Sequence, residues 1–239
     1  MGRITQVKIL QDFHTYDGSL ARDLGPMFAL DHAQGLVGYT IPALPAGTML
    51  DFNAPIVVIV GKNGSGKSTL VSKLYATAGY LPVMRGMENL PHFMEVAYEG
   101  DRPPSLRSFF PGTKPSGALT LYGDGDSDSD RSSRELAKMS SGQYQWQQLQ
   151  RFFKSLGANE GVVAFDQPEH DLDITAKPAM VGMICRYAQE SGNQVIVATH
   201  EERFLRVHET HGIDALVISL LDTPARSYRM ADFKLENYV

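Results

Sequence analysis

The stretch "GKNGSGKST", Gly61 to Thr69, fits the pattern G-x-x-x-x-G-K-[S/T] and lies between an apolar run, Pro55 to Val60, and a stretch of helical pattern, Ser68 to Ala78. The apolar run is β-branched and too short for a helix, so it predicts a central strand. Strand, glycine-rich turn and helix in that order are the setting a phosphate-binding loop requires. Gly61, Gly64 and Gly66 let the backbone curl until its N–H groups and the helix N-terminus face an anion. Lys62, Asn63, Ser65 and Thr69 complete the loop. Lys67 brings a positive charge to the β- and γ-phosphates and is expected to face solvent, while the Ser68 hydroxyl is placed to ligate magnesium. Nothing in this loop separates kinases, GTPases and transport ATPases.

Outward from the loop, the chain alternates strand and helix. Val162 to Asp166 reads as a buried strand that delivers Asp166, a second candidate magnesium ligand, to a strand edge, with Gln167 next. Strands are predicted at Val195–Thr199, just before His200, and at Ala215–Leu220, with helical pattern between. That alternation predicts an α/β fold with a mostly parallel central sheet. Ile4 to Leu10, and the Gly, Pro and Asp residues from Asp17 to Asp51, predict an antiparallel β lead-in of short strands. From Gly79 to Gly117 periodicity is broken, which predicts a small irregular lobe. Ser140 or Ser141 then caps a helix with Trp146, Leu149, Phe153 and Leu156 on one face, stopped by Gly157. We read one domain: lead-in and phosphate loop in 1–78, small lobe and capped helix in 79–157, remaining core in 158–239.

The later landmarks decide among the nucleotide-binding classes. Met139, Ser140, Ser141, Gly142 and Gln143 open that capped helix and resemble the L-S-G-G-Q signature of ABC-type ATPases, with Met139 and Ser141 as departures. Taken alone, the stretch reads equally as a plain helix cap. "PEHDLD", ending at Leu172 and Asp173, resembles the family's D-loop, and His200 just past a strand matches its switch histidine. Four landmarks in the family's order make nearly the whole chain similar to an ABC-type ATPase head. The resemblance implies ATP and Mg2+ as ligands, with Ser140 to Gln143 of one subunit meeting the γ-phosphate bound to a second, in a homodimer formed on ATP binding. It also implies a glutamate after Asp166 to set up the attacking water, where this chain has Gln167. A glutamine can orient water without taking its proton, so slow turnover is expected. Glu169 is either a substitute base or a loop carboxylate at the dimer edge.

Absences narrow the branch. No glutamine occurs from Leu70 to Ser140, where transporter subunits carry the one that couples to their membrane partner. The same interval lacks the long heptad arms of chromosome-maintenance heads. The lead-in, the S-S-G-Q stretch and "DQPE" look like compact ATPases of phage, plasmid and anti-phage systems, which regulate an effector; here that effector is expected on another chain. Alternatives from other classes are an ATP-gated sensor or scaffold without meaningful turnover, and a P-loop kinase of small molecules.

Composition bounds the rest. At 239 residues, 43% hydrophobic and 21% charged, the chain can bury a sizeable core. A net charge of −5 without a basic run predicts that any nucleic-acid contact is local or supplied by a partner. The single cysteine, Cys185, suits a reducing cytoplasm and reads as a small buried hydrophobe. No apolar run reaches the length of a membrane span, and no signal region opens the chain. Asp124, Asp126, Asp128 and Glu135 mimic calcium-loop spacing, but Ser129 replaces the required glycine, so a solvated acidic loop is expected. His208 and His211 read as surface residues at a helix end. Phe13, Tyr16 and Tyr39 are equal candidates for stacking adenine.

Overall fold

The computed structural model describes residues 2–10, 41–75, 94–101, 104–111, 139–157, 161–234 and 236. Its strands are β1 (Ile4–Ile9), β2 (Met49–Asp51), β3 (Ile56–Val60), β4 (Met94–Tyr98), β5 (Leu106–Phe109), β6 (Val162–Asp166), β7 (Gln194–Ala198), β8 (Ala215–Ser219) and β9 (Arg226–Arg229). The α-helices are α1 (Lys67–Tyr75), α2 (Ser141–Ser155), α3 (Ala176–Ser191) and α4 (Val207–His211). The strands form two sheets, a three-stranded antiparallel one ordered β2-β1-β4 and a six-stranded one ordered β5-β6-β7-β3-β8-β9. All neighbours in the larger sheet run parallel except β8 and β9.

Burial explains why β3, β6, β7 and β8 read as unbroken apolar runs: every residue in them is buried, because both faces of the sheet are covered. Side chains alternate between the two faces. Val57, Ile59, Val162, Ala164 and Ile196 point into one core with β1, β2 and the apolar side of α1, Leu70, Val71 and Leu74. Ile56, Val58, Val163, Phe165 and Val197 point into a second core with α3 and Leu149 of α2. Cys185 is buried in this second core, and the same burial pushes its thiol up to about 12. Ring contacts fasten α2 down: Phe153 stacks on Phe165 at 5.4 Å, and Phe152 lies edge-on to it at 5.6 Å.

The middle of the chain departs from the expected irregular lobe. Residues 94–98 form β4, an edge of the antiparallel sheet, and residues 106–109 form β5, an edge of the central sheet. Neither strand has the long apolar run of a doubly covered strand, because each is an edge with an exposed side, and glycine and proline around them mask their short periodicity. Residues 112–138, including the acidic stretch Asp124 to Glu135, lie outside the described residues, as do Phe13, Tyr16 and Tyr39.

A fully buried polar side chain helps to join the two sheets. Gln194 opens β7 and is fully buried. Its Oε1 accepts the Ile4 N–H at 2.9 Å, and its Nε2 donates to the carbonyls of Ile4, Phe52 and Ala54 at 2.9, 2.7 and 3.1 Å. Losing that amide strands several buried backbone groups, each worth about 1–3 kcal/mol when left unsatisfied. Gln194→Ala is expected to destabilise the fold by about 3 kcal/mol in urea unfolding; a shift within about 0.5 kcal/mol of the parent would show that the amide does not join the sheets.

Candidate functional site

The strand order brings β6, β7 and β3 side by side, so the segments that leave their C-terminal ends converge. Past β3, the chain turns at Gly64 and Gly66, with φ of 78° and 97°, in the region glycine tolerates best. A Cβ on Gly66 would also sit 2.7 Å from the Ile41 side chain. The Ser65 N–H donates to the Lys62 carbonyl at 3.1 Å, and α1 begins at Lys67. Lys67 does not face solvent as expected. It is 3% exposed, and its Nζ donates to the carbonyls of Gly61 and Lys62 at 2.8 and 3.1 Å. An ammonium folded inside a curled loop must find acceptors, and the loop's own carbonyls supply them. Burial lowers its pKa, opposed by the negative charges of Asp166 and Glu169.

Alternation along β6 puts Asp166 on the same face as Val162 and Ala164, toward α1, where the Ser68 Oγ donates to its Oδ1 at 3.0 Å. Burial raises the Asp166 pKa, while the Ser68 hydrogen bond and the Lys67 charge pull it down. A hydroxyl and a carboxylate meeting beside a phosphate loop are hard oxygen donors of the kind that would hold magnesium. Among the described residues, no cluster of three or more His, Cys, Asp and Glu is placed to hold a metal ion.

After Asp166 the chain turns sharply. Gln167 has a φ of 44°, uncommon for a residue with a side chain, and its N–H donates to the Ala198 carbonyl at 2.7 Å. Glu169 then points inward and is 7% exposed, not at an exposed edge. Its Oε1 accepts the His200 N–H at 2.6 Å, tying the segment after β6 to the one after β7. Burial raises the Glu169 pKa, with the Glu201 charge adding to it, against the hydrogen bonds from the His200 N–H, its own N–H and the Thr199 hydroxyl. His200 is half-buried, its Nε2 has no hydrogen-bond partner among the described residues, and it lines a cavity of about 280 Å³ with Gly61, Lys62, Asn63 and Leu221. Burial first, and the charge of Lys67 second, lower its pKa. Directly after His200, the nearly buried Glu201 carboxylate accepts Arg203 Nη1 at 2.6 Å and lies 3.7 Å from Lys177 of α3. Sequence reasoning had no sign of this brace.

Ser140 caps α2, its Oγ accepting the Gln143 N–H at 3.2 Å while its own N–H donates to the Gln143 side chain at 3.0 Å. This reciprocal cap leaves Ser140 and Ser141 exposed at the positive end of a helix dipole. A Cβ on Gly142 would come 2.7 Å from the Asp171 carbonyl, so glycine there lets α2 start against the loop after β6. In that loop the Asp173 carboxylate accepts the N–H groups of Thr175 and Ala176, both at 2.9 Å, and the Thr175 hydroxyl, which lowers its pKa. His208 and His211 are exposed in α4, as expected. The structure thus brings the phosphate loop, Asp166, Glu169 and His200 together, and sets Ser140 to Gln143 beside the Asp173 loop.

Comparison with known proteins agrees on the fold. A family model described as an AAA domain matches residues 37–77, the stretch that holds β2, β3, the phosphate loop and all of α1. A metal-chelate type ABC transporter in an inward-facing conformation superposes with a TM-score of 0.52 at 17% identity, covering 98% of this chain and 87% of that one. A dimeric ATP-binding cassette in a post-hydrolysis state, bound to ADP and Pi, superposes with a TM-score of 0.55 at 18% identity, covering 95% of this chain and all of that one. No curated protein matches in sequence. The chain has the α/β P-loop NTPase fold of the ABC-ATPase kind.

The lowered pKa of His200 sets a pH dependence. A group whose folded pKa lies below its unfolded value, 6.5 for histidine, contributes stability that is present above 6.5 and lost as pH falls through the folded value. Thermal melts from pH 7 to pH 5 are therefore expected to fall more steeply for the parent than for His200→Gln; parallel curves would show that the imidazole is not shielded.

Proposed function

We propose that this chain is an ABC-type ATPase that binds Mg2+ and ATP at the phosphate loop, pairs with a second copy around the nucleotide, hydrolyses it slowly, and thereby switches a separate effector protein. The observation that carries the reading is the convergence of Lys67, Ser68, Asp166, Glu169 and His200 at the ends of three adjacent parallel strands. Loop N–H groups and the start of α1 bind phosphate oxygens, and Lys67 exchanges its loop carbonyls for the β- and γ-phosphates. Ser68 and Asp166 would hold the magnesium, and the chemistry it would supply there is neutralisation of phosphate charge. His200 reaches the γ-phosphate side. Exposed Ser140 and Ser141, with the α2 N-terminus, offer donors to a γ-phosphate held by the other copy, and Asp173 stands beside them on the same edge.

On this reading the division is of one domain, with 1–78 and 158–239 holding the nucleotide core and 79–157 the signature helix. No described helix is long and apolar enough to cross a membrane, and we place the protein in the cytoplasm on its single buried cysteine. The effector, in DNA maintenance or phage defence, is a separate chain; nucleic acid enters through it or through a local contact. A second reading, an ATP-gated sensor without meaningful turnover, is favoured by one observation: Gln167 occupies the position directly after Asp166.

Two measurements test the proposal. Lys67→Ala is expected to lower steady-state phosphate release by about 100-fold, the loss typical of removing one charge-stabilising group, with the circular dichroism of the parent. Undiminished ATP affinity and turnover would remove the phosphate-loop assignment. Light scattering with a non-hydrolysable ATP analogue and magnesium is expected to show a dimer that Ser140→Arg abolishes by bulk and misplaced charge. An identical monomer mass with and without the analogue would sink the paired arrangement.

A further inference from the structure

Glu169 combines features that a loop carboxylate has no need of. It is more than nine-tenths buried; its Oε1 accepts the His200 N–H, the Thr199 hydroxyl and its own N–H also act on the carboxylate, and Oε2 is buried with no hydrogen-bond partner among the described residues. A carboxylate left with an unfilled buried oxygen carries a desolvation cost, so such an atom marks a place where a donor arrives. The place is defined by its neighbours. The Glu169 charge acts on Lys67, the ammonium of the phosphate loop, and His200, whose Nε2 is also buried and unfilled, feels the same ammonium. The turn that holds Glu169 there is rigid, with the His170 N–H donating to the Gln167 carbonyl at 3.0 Å and the Leu172 N–H to the Glu169 carbonyl at 3.1 Å. Gln167 is spent differently: its backbone makes the left-handed turn and closes onto Ala198, and its side chain is only half-buried.

We infer that Glu169, three residues beyond Asp166, is the carboxylate against which water attacks the γ-phosphate, and that Gln167 serves the turn that aims it. This rests on the reading of the phosphate loop as an ATP site. Oε2 accepts a hydrogen bond from the attacking water while Oε1 keeps His200 in place. The water oxygen forms a bond to the γ-phosphorus, and the bond to the β–γ bridging oxygen breaks with its electron pair leaving on ADP. One water proton goes to Oε2 and from there to an oxygen of the released phosphate. The base position is thereby displaced along the chain without leaving the site, because the β6 turn and the β7 exit are tied by the Glu169–His200 bond.

The experiment compares parent, Glu169→Gln, Glu169→Ala and Gln167→Ala for magnesium-ATP affinity and phosphate release. Glu169→Gln keeps an amide oxygen for the His200 N–H but puts a donor where the water must donate. It is expected to bind ATP as the parent does and to lose about 100-fold or more in turnover, the usual weight of a positioned base. Gln167→Ala is expected to keep turnover within about tenfold of the parent, an effect on positioning and not on the base. If Glu169→Gln turns over like the parent while Glu169→Ala does not, Glu169 is a tether for His200 and the inference fails; the reverse ranking of the Gln167 and Glu169 variants also overturns it. A parent that binds ATP without releasing phosphate would overturn the inference and leave nucleotide binding standing, whereas a parent that does not bind ATP would remove the site itself.

Discussion

The hydrogen bond from Ser68 to Asp166 spans 98 residues of chain, and the rest of the site depends on the geometry that permits it. It needs β6 in parallel register two places from β3, so that the last residue of one strand and the second residue of the helix after the other meet at the same height. It needs Asp166 on the α1 face, which the alternation Val162, Ala164, Asp166 enforces; a slip of one residue would turn the carboxylate toward α2. It also needs β7 between them, and β7 carries His200 out at the same end of the sheet. One hydroxyl–carboxylate contact therefore reports that three strands are in order.

The site concentrates costs that the rest of the fold must offset. An ammonium and two carboxylates are buried or nearly so, and a glutamine holds a left-handed backbone. Each is unfavourable by itself, and such features persist where surrounding structure over-determines them. Here the surroundings are two apolar cores on either side of a sheet whose central strands are wholly buried, with the Glu201 brace securing the segment after His200. The electrostatics of this arrangement favour a ligand that brings negative charge to Lys67 and cations or donors to the carboxylates.

What could be read from the sequence was what is encoded locally. The phosphate loop, the strand before Asp166, the cap at Ser140 and the position of His200 each depend on a few adjacent residues whose order carries the geometry. The β4 and β5 strands were not legible because an edge strand is defined by its neighbour, and their neighbours lie far off in sequence. Gln194 sits just ahead of the apolar run that announces β7, and its role arises only when β1 and the segment before β3 arrive around it. Glu169 left two readings open for the same reason: whether a loop carboxylate is exposed or buried beside an ammonium depends on where the β7 exit runs.

Strand order also bears on how the protein is made. The strand that carries the phosphate loop, β3, is flanked in the finished sheet by β7 and β8, both of which lie far downstream of it in sequence. During synthesis from the N-terminus, β3 emerges with neither neighbour available, its apolar residues uncovered, and β1 likewise waits for the amide of Gln194. Non-local pairing of this kind closes slowly and leaves sticky surface exposed in the meantime. The loop after β3 therefore gains its full setting only once β7 and β8 have been made and paired.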